Sequence, residues 1–146
     1  MDVTLALIVL GALVLLAGGL GVFLKRNAER ARTVSGEARV DVAALGLDRL
    51  GARATIVQFS TEMCSRCPGV QRTISGLVEE QPGVAFIHVD VTHRPELASE
   101  FKLLQTPTVL VLDETGRPRT RLSGAISRHS LSHELDSITG GLSVAR

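Results

Sequence analysis

Thr55-Ile56-Val57-Gln58-Phe59-Ser60-Thr61-Glu62-Met63-Cys64-Ser65-Arg66-Cys67 joins an apolar, β-branched run to a pair of cysteines. Thr55 to Phe59 has the make-up of a buried strand. Ser60 to Met63 is a short connection. From Cys64 onward, Val70, Ile74, Leu77 and Val78 recur at spacings of three and four, which predicts a helix over 64–80 that Pro82-Gly83 stops. The two thiols therefore stand at a strand-to-helix junction with two residues between them. That spacing lets them close a small disulfide ring. A helix N-terminus favours negative charge and so favours the thiolate, the reactive form of cysteine.

Outward from this junction the chain alternates. Val84 to Val89 reads as a second strand, and Pro95 opens a short helix with Leu97, Ala98 and Phe101 as its apolar face. Thr108 to Leu112 is nearly all apolar, as a central strand is. Asp113 to Gly116 is a turn and Arg119 to Leu122 an alternating edge strand. Ser127 caps a last helix through about Ile138, with Leu131, Leu135 and Ile138 facing inward, and Gly140-Gly141 ends it. Val40 to Leu50 is expected to cover the sheet with an element whose type the pattern leaves open. Strand, helix, strand, helix, strand, strand, helix is the order of an α/β layered domain with a mixed sheet. No repeat or low-complexity stretch interrupts it.

The chain has 146 residues and a formal net charge of +1, which gives no footprint for nucleic acid. It holds no Trp or Tyr and only four Phe, so the core is aliphatic. Two cysteines cannot build a disulfide-stapled scaffold. Val3 to Leu24 carries no charge, and as a helix these 22 residues would span roughly 33 Å, enough to cross a bilayer. A cleaved signal peptide would want basic residues before the apolar run and a small-x-small site after it. Only Met1 and Asp2 precede the run, so an uncleaved anchor is the expectation. Lys25, Arg26, Arg30 and Arg32 follow it, and the positive-inside rule puts the remainder on the cytoplasmic side of the cell membrane. The expected organisation is an anchor over 1–25, a juxtamembrane linker over 26–38 and a folded domain over 39–146.

Two chemistries suit the cysteines. In thiol-disulfide exchange, a Cys64 thiolate attacks a substrate disulfide and Cys67 then attacks the Cys64 sulfur, leaving an internal disulfide. Arg66 adds a positive charge beside the thiolate, and Ser65 can donate a hydrogen bond to it. In the metal reading, His88 and His93 would complete the four ligands of tetrahedral zinc. The gap from Cys67 to His88 is long for a compact finger, and the histidines fall on a strand and the loop beyond it. No metal is expected.

These residues resemble the thioredoxin family. Gln58 to Cys67 looks like its strand-to-active-site segment, Val89-Asp90-Val91 like the end of its next strand, Thr106-Pro107-Thr108 like its cis-proline loop, and Gly124-Ala125 like the glycine after its edge hairpin. The likeness covers about residues 50 to 140. It implies a three-layer α/β/α fold with a mixed central sheet, here behind one transmembrane helix, as in membrane-anchored thioredoxin-like proteins of the bacterial type. It also implies Cys64 as nucleophile, Cys67 as buried resolving thiol and a cis Pro107. Beside that proline, the Thr106 backbone would pair with a substrate strand. The redox element would be the Cys64–Cys67 disulfide, with no separate cofactor. Partners would be protein disulfides or dithiols and a reductase or oxidase. The rival readings are an electron-relay or oxidising partner on the outer face of the membrane and a redox-inert module that binds peptides along the Thr106-Pro107 edge.

Three positions depart from the family pattern. Met63 stands where it has Trp, Ser65-Arg66 where it has Gly-Pro, and Gln58 where it has a buried acid. Gln can hydrogen-bond but cannot take up a proton at neutral pH. Slower resolution by Cys67 is therefore expected, and Gln58→Asp is expected to speed it.

Overall fold

The computed structural model describes residues 2–28, 32–33 and 38–140. Its centre is β2 (Ala54–Ser60), all seven residues of which are buried. β2 pairs parallel with β3 (Val84–Asp90) and antiparallel with β4 (Thr108–Asp113), and β4 pairs antiparallel with β5 (Pro118–Ser123). The two-residue β1 (Arg32–Thr33) runs antiparallel to the outer side of β5, giving the order β1-β5-β4-β2-β3. The working sheet is thus the mixed four-stranded one expected, with a short addition on the β5 edge.

Pleating sorts the side chains into two cores. Ala54, Ile56, Val109 and Val111 face one layer, built by α2 (Cys67–Glu80) and α4 (Arg128–Thr139) through Val70, Ile74, Leu77, Leu131 and Leu135. Val57, Phe59, Leu110 and Leu112 face the other, closed by Val40, Val42, Leu45 and by Leu97 of α3 (Pro95–Glu100). Phe101, just past α3, tilts against Phe59 with ring centroids 4.7 Å apart. Fully burying one such aliphatic or aromatic side chain contributes about 1.5–3 kcal/mol. With both faces covered, β2 and β4 need the near-continuous apolar sequence they have.

Three boundaries differ from the sequence expectation. α2 begins at Cys67, not Cys64, because Pro68 sits in its first turn, where the missing N–H is harmless. Cys64 to Arg66 instead form turns, with the Cys64 N–H donating to the Thr61 carbonyl at 3.0 Å and the Cys67 N–H to the Cys64 carbonyl at 3.3 Å. The stretch 40–50 covers the sheet as expected, but as turns around Gly46, whose φ of 97° suits glycine. α1 (Val3–Ala28) runs three residues beyond the expected anchor, and Arg32–Thr33 of the expected linker belong to the sheet. The rest of that linker, 29–31 and 34–37, lies outside the described residues, as does Gly141. Gly140 does end α4, in the left-handed conformation.

Candidate functional site

Strand directions decide what meets at one end of the sheet. β2 and β3 end there, β4 begins there and β5 ends there. The loops that converge are therefore 61–66, 91–94, 102–107 and 124–127. The cysteines, the Thr106-Pro107 loop and Gly124 come from three of them, although they span about sixty residues of chain.

Cys64 and Cys67 form a disulfide with an S–S distance of 2.03 Å. Cys67 is 4% exposed, while Cys64 is only partly buried, so solvent reaches one sulfur-bearing residue and not the other. Ser65 and Arg66 are exposed, and Met63 is 92% exposed, without the packing an aromatic would bring there. Beneath them Gln58 is fully buried. Its Nε2 donates to the Cys67 carbonyl at 3.0 Å and so fixes the first residue of α2 to the central strand. Its Oε1 has no hydrogen-bond partner, the one such buried side-chain atom among the described residues. An unsatisfied buried acceptor costs about 1–3 kcal/mol.

The proline loop is held from both sides. The Thr106–Pro107 bond is cis and Pro107 is buried. Thr106 Oγ1 lies 3.2 Å from Thr61 Oγ1, which ties this loop to the one leading into Cys64. The Gly124 N–H donates to the Pro107 carbonyl at 3.1 Å, and the positive φ of Gly124, 77°, turns the chain out of β5 to do so. Leu104, 97% exposed, stands at the same end of the sheet.

The β3 side of the site is polar. Ser60 Oγ and His88 Nε2 are 2.5 Å apart, across neighbouring strands. Thr92 Oγ1 accepts from the Glu62 N–H at 2.9 Å and donates to Asp90 Oδ1. The side-chain and backbone hydrogen bonds of Thr92 hold the Asp90 carboxyl below its ordinary range, helped by His88 and His93 against a small desolvation. His88 and His93 are both exposed, and no group of three or more His, Cys, Asp and Glu gathers among the described residues to hold a metal ion. On the opposite side, toward β5, a groove of about 590 Å³ opens beside the disulfide between the start of α2 and Gly124–Ser127.

Sequence reading named Gln58, Met63, Cys64, Ser65, Arg66, Cys67, Thr106 and Pro107, and the fold brings all eight to one end of the sheet or directly beneath it. It missed the Ser60–His88 contact, because strand register cannot be read from one strand alone, and the Thr61–Thr106 contact, which joins two loops 45 residues apart in sequence.

The Thioredoxin family model matches residues 48–137. A thioredoxin H-type from Fagopyrum esculentum is 30% identical over 80 residues, covering 55% of this chain and 67% of that one. A bifunctional thioredoxin reductase/thioredoxin from Mycobacterium leprae is 28% identical over 91 residues, which is 62% of this chain and 20% of the longer protein. Across three plant relatives the chain spans from 45% to 67% of their length. A point-mutant thioredoxin from Halobacterium salinarum superposes with a TM-score of 0.57 at 19% identity, covering 70% of this chain and 87% of that chain, and so shares the fold.

Proposed function

The chain belongs to the thioredoxin family, and from that premise we propose that it is a membrane-anchored thiol-disulfide oxidoreductase working through Cys64 and Cys67. The observation that carries this is the asymmetric disulfide. Cys64 is open to solvent at the loop, Cys67 is buried at the first turn of α2, and the two are bonded. In the reducing direction, a Cys64 thiolate attacks one sulfur of a substrate disulfide and expels the other as a thiolate. Cys67 gives up its proton and attacks Cys64 Sγ, releasing the second substrate thiolate. Two electrons pass to the substrate, and the protein is left as the Cys64–Cys67 disulfide. In the oxidising direction each bond change reverses.

The other groups support this cycle. Arg66 and the positive end of the α2 dipole favour the Cys64 thiolate, and no side chain caps that end. The backbone at Thr106 offers an edge for an extended substrate, and exposed Met63 and Leu104 offer it apolar contact. A reductase is the partner class we favour, in keeping with the reductase half that the mycobacterial relative carries by name.

The test is to equilibrate the full chain, in detergent micelles, with glutathione buffers from reducing to oxidising and to count free thiols by alkylation and mass. Only two cysteines are present, so a reversible two-thiol step reports this pair alone. No step across that range would overturn the oxidoreductase reading in favour of an inert binding module.

A further inference from the structure

The groove beside the disulfide has a charge that exchange chemistry does not require. Arg66 and Arg72 both line it, with Ser65, Thr73 and the Gly124-Ala125 turn, and no Asp or Glu contributes to its wall. Both arginines are exposed. On the β3 side of the site the Asp90 carboxylate is held by Thr92, and Glu80 pairs with Arg128 near the far end of α2. The groove wall on the β5 side of the cysteines is thus cationic. The first turn of α2 contains no acid to offset the two arginines, and Pro68, Gly69 and Val70 of that turn line the same groove.

We propose that this groove is a docking site for acidic substrate segments, with Arg66 and Arg72 reading one or two carboxylates close to the substrate cysteine. The proposal rests on the oxidoreductase reading and adds a substrate class to it. Charge complementarity names the occupant: a pair of guanidinium groups with no acidic partner among the described residues, within a few residues of the reacting sulfurs, favours carboxylate and repels lysine. The size suits a few side chains rather than a folded surface, since about 590 Å³ lies within the range of small-ligand clefts. The wall also supplies hydroxyls at Ser65 and Thr73 for the polar edges of such a segment. Arg66 sits between the cysteines and so also acts on the Cys64 sulfur; Arg72 lies beyond Cys67 along α2 and acts on the substrate alone.

The experiment compares three disulfide-linked peptide dimers, alike except that the residues flanking cysteine are Asp, Ser or Lys. Neutral hydroxyethyl disulfide is the reference, and the full-length chain in neutral detergent is recycled by dithiothreitol. Exposed ion pairs of this kind are worth up to about fivefold each, so kcat/KM should follow the order Asp, Ser, Lys with roughly two- to fivefold per arginine engaged. The order should flatten as salt is raised. Arg72→Glu should reverse the preference while leaving turnover of hydroxyethyl disulfide unchanged. Equal kcat/KM for the three peptides, with the reference turned over, overturns the groove and leaves the oxidoreductase reading intact. Failure to turn over even the reference sinks that reading instead. In that event a fluorescein-labelled Asp peptide with Ser in place of Cys still decides the groove by anisotropy. Binding that weakens with salt and with Arg72→Glu supports it, and no binding overturns it.

Discussion

Gln58 carries the most consequence for a single residue at this site. It is fully buried, its amide N–H holds the Cys67 carbonyl, and its oxygen is left without a partner. The sequence showed that a family acid had become an amide; it could not show that the amide anchors α2, because that bond spans nine residues and two elements. The bond also changes what substitution should do. Gln58→Asp supplies a proton acceptor but shortens the side chain and gives up the donor, so faster exchange near neutral pH should come with lower stability. Gln58→Glu separates the effects by keeping the length. A neutral Glu can donate to the Cys67 carbonyl, whereas a carboxylate cannot and is buried without a counter-charge. Its folded-state pKa should therefore lie above the unfolded value of about 4.3. An acid whose pKa is raised on folding binds more protons folded than unfolded. Stability is then retained below about pH 4 and lost as pH rises through the folded pKa, by about 1.4 kcal/mol for each pH unit that separates the two values. Thermal unfolding followed by circular dichroism should show a gap from wild type that widens between pH 4 and pH 8. A gap independent of pH would mean the amide donor is not what the Cys67 carbonyl requires.

The elements most legible in advance were those whose packing their own residues decide. β2 and β4 are buried on both faces, so their apolar runs had one sensible reading. Ser127 accepts from the Ser130 N–H as an N-cap should, and Gly140 closes α4. The start of α2 was less legible because the cysteine spacing pointed to Cys64, while the decisive residue was Pro68. The covering segment 40–50 was least legible, since Val40, Val42 and Leu45 are buried from turns, with no period to reveal them. Contacts at the strand ends can be tested by substitution. A Cβ on Gly51 would stand 2.1 Å from the Ala54 carbonyl oxygen and 2.6 Å from the Ala85 nitrogen, so Gly51→Ala must pry apart the starts of β2 and β3. It should lower stability by about 2 kcal/mol or more in chemical denaturation, and a neutral result would mean this corner moves freely. At the β4–β5 turn, burial opposes ionisation of Asp113. Hydrogen bonds from the Thr115 hydroxyl and from the Arg117 and Thr115 N–H groups, with the charge of Arg119, more than offset that and hold its carboxyl below the ordinary range. A depressed folded pKa gives stability that is present above the unfolded value near 3.9 and is lost as pH falls through the folded one. Asp113→Ala should cost about 1–3 kcal/mol at pH 7 and less at pH 3; an equal cost at both would refute the ionised turn.

At the scale of the whole molecule, α1 is the part the fold does not use. Its stretch Val3–Leu24 has a mean hydropathy of 2.7, and none of it is buried in the protein. By length and composition these 22 residues are enough to cross a bilayer core, and a signal sequence of the same make-up would be too. Retained as an anchor, it would hold the disulfide within reach of the membrane surface and restrict its substrates to proteins that pass there. The full chain expressed in cells should then stay in the membrane pellet through alkaline carbonate. Leu10→Arg with Leu15→Arg should release it, because each arginine at the helix centre costs about 2.5–3.5 kcal/mol of insertion. A wild-type chain recovered in the soluble fraction and shortened by the mass of this segment would show a cleaved signal instead. The basic run Lys25, Arg26, Arg30, Arg32 favours a cytoplasmic domain. With the domain inside, a membrane-impermeant maleimide should leave Cys64 and Cys67 unlabelled in intact, reduced cells and label both after lysis. Labelling before lysis would place the domain outside, where an oxidase rather than a reductase would set the state of the pair.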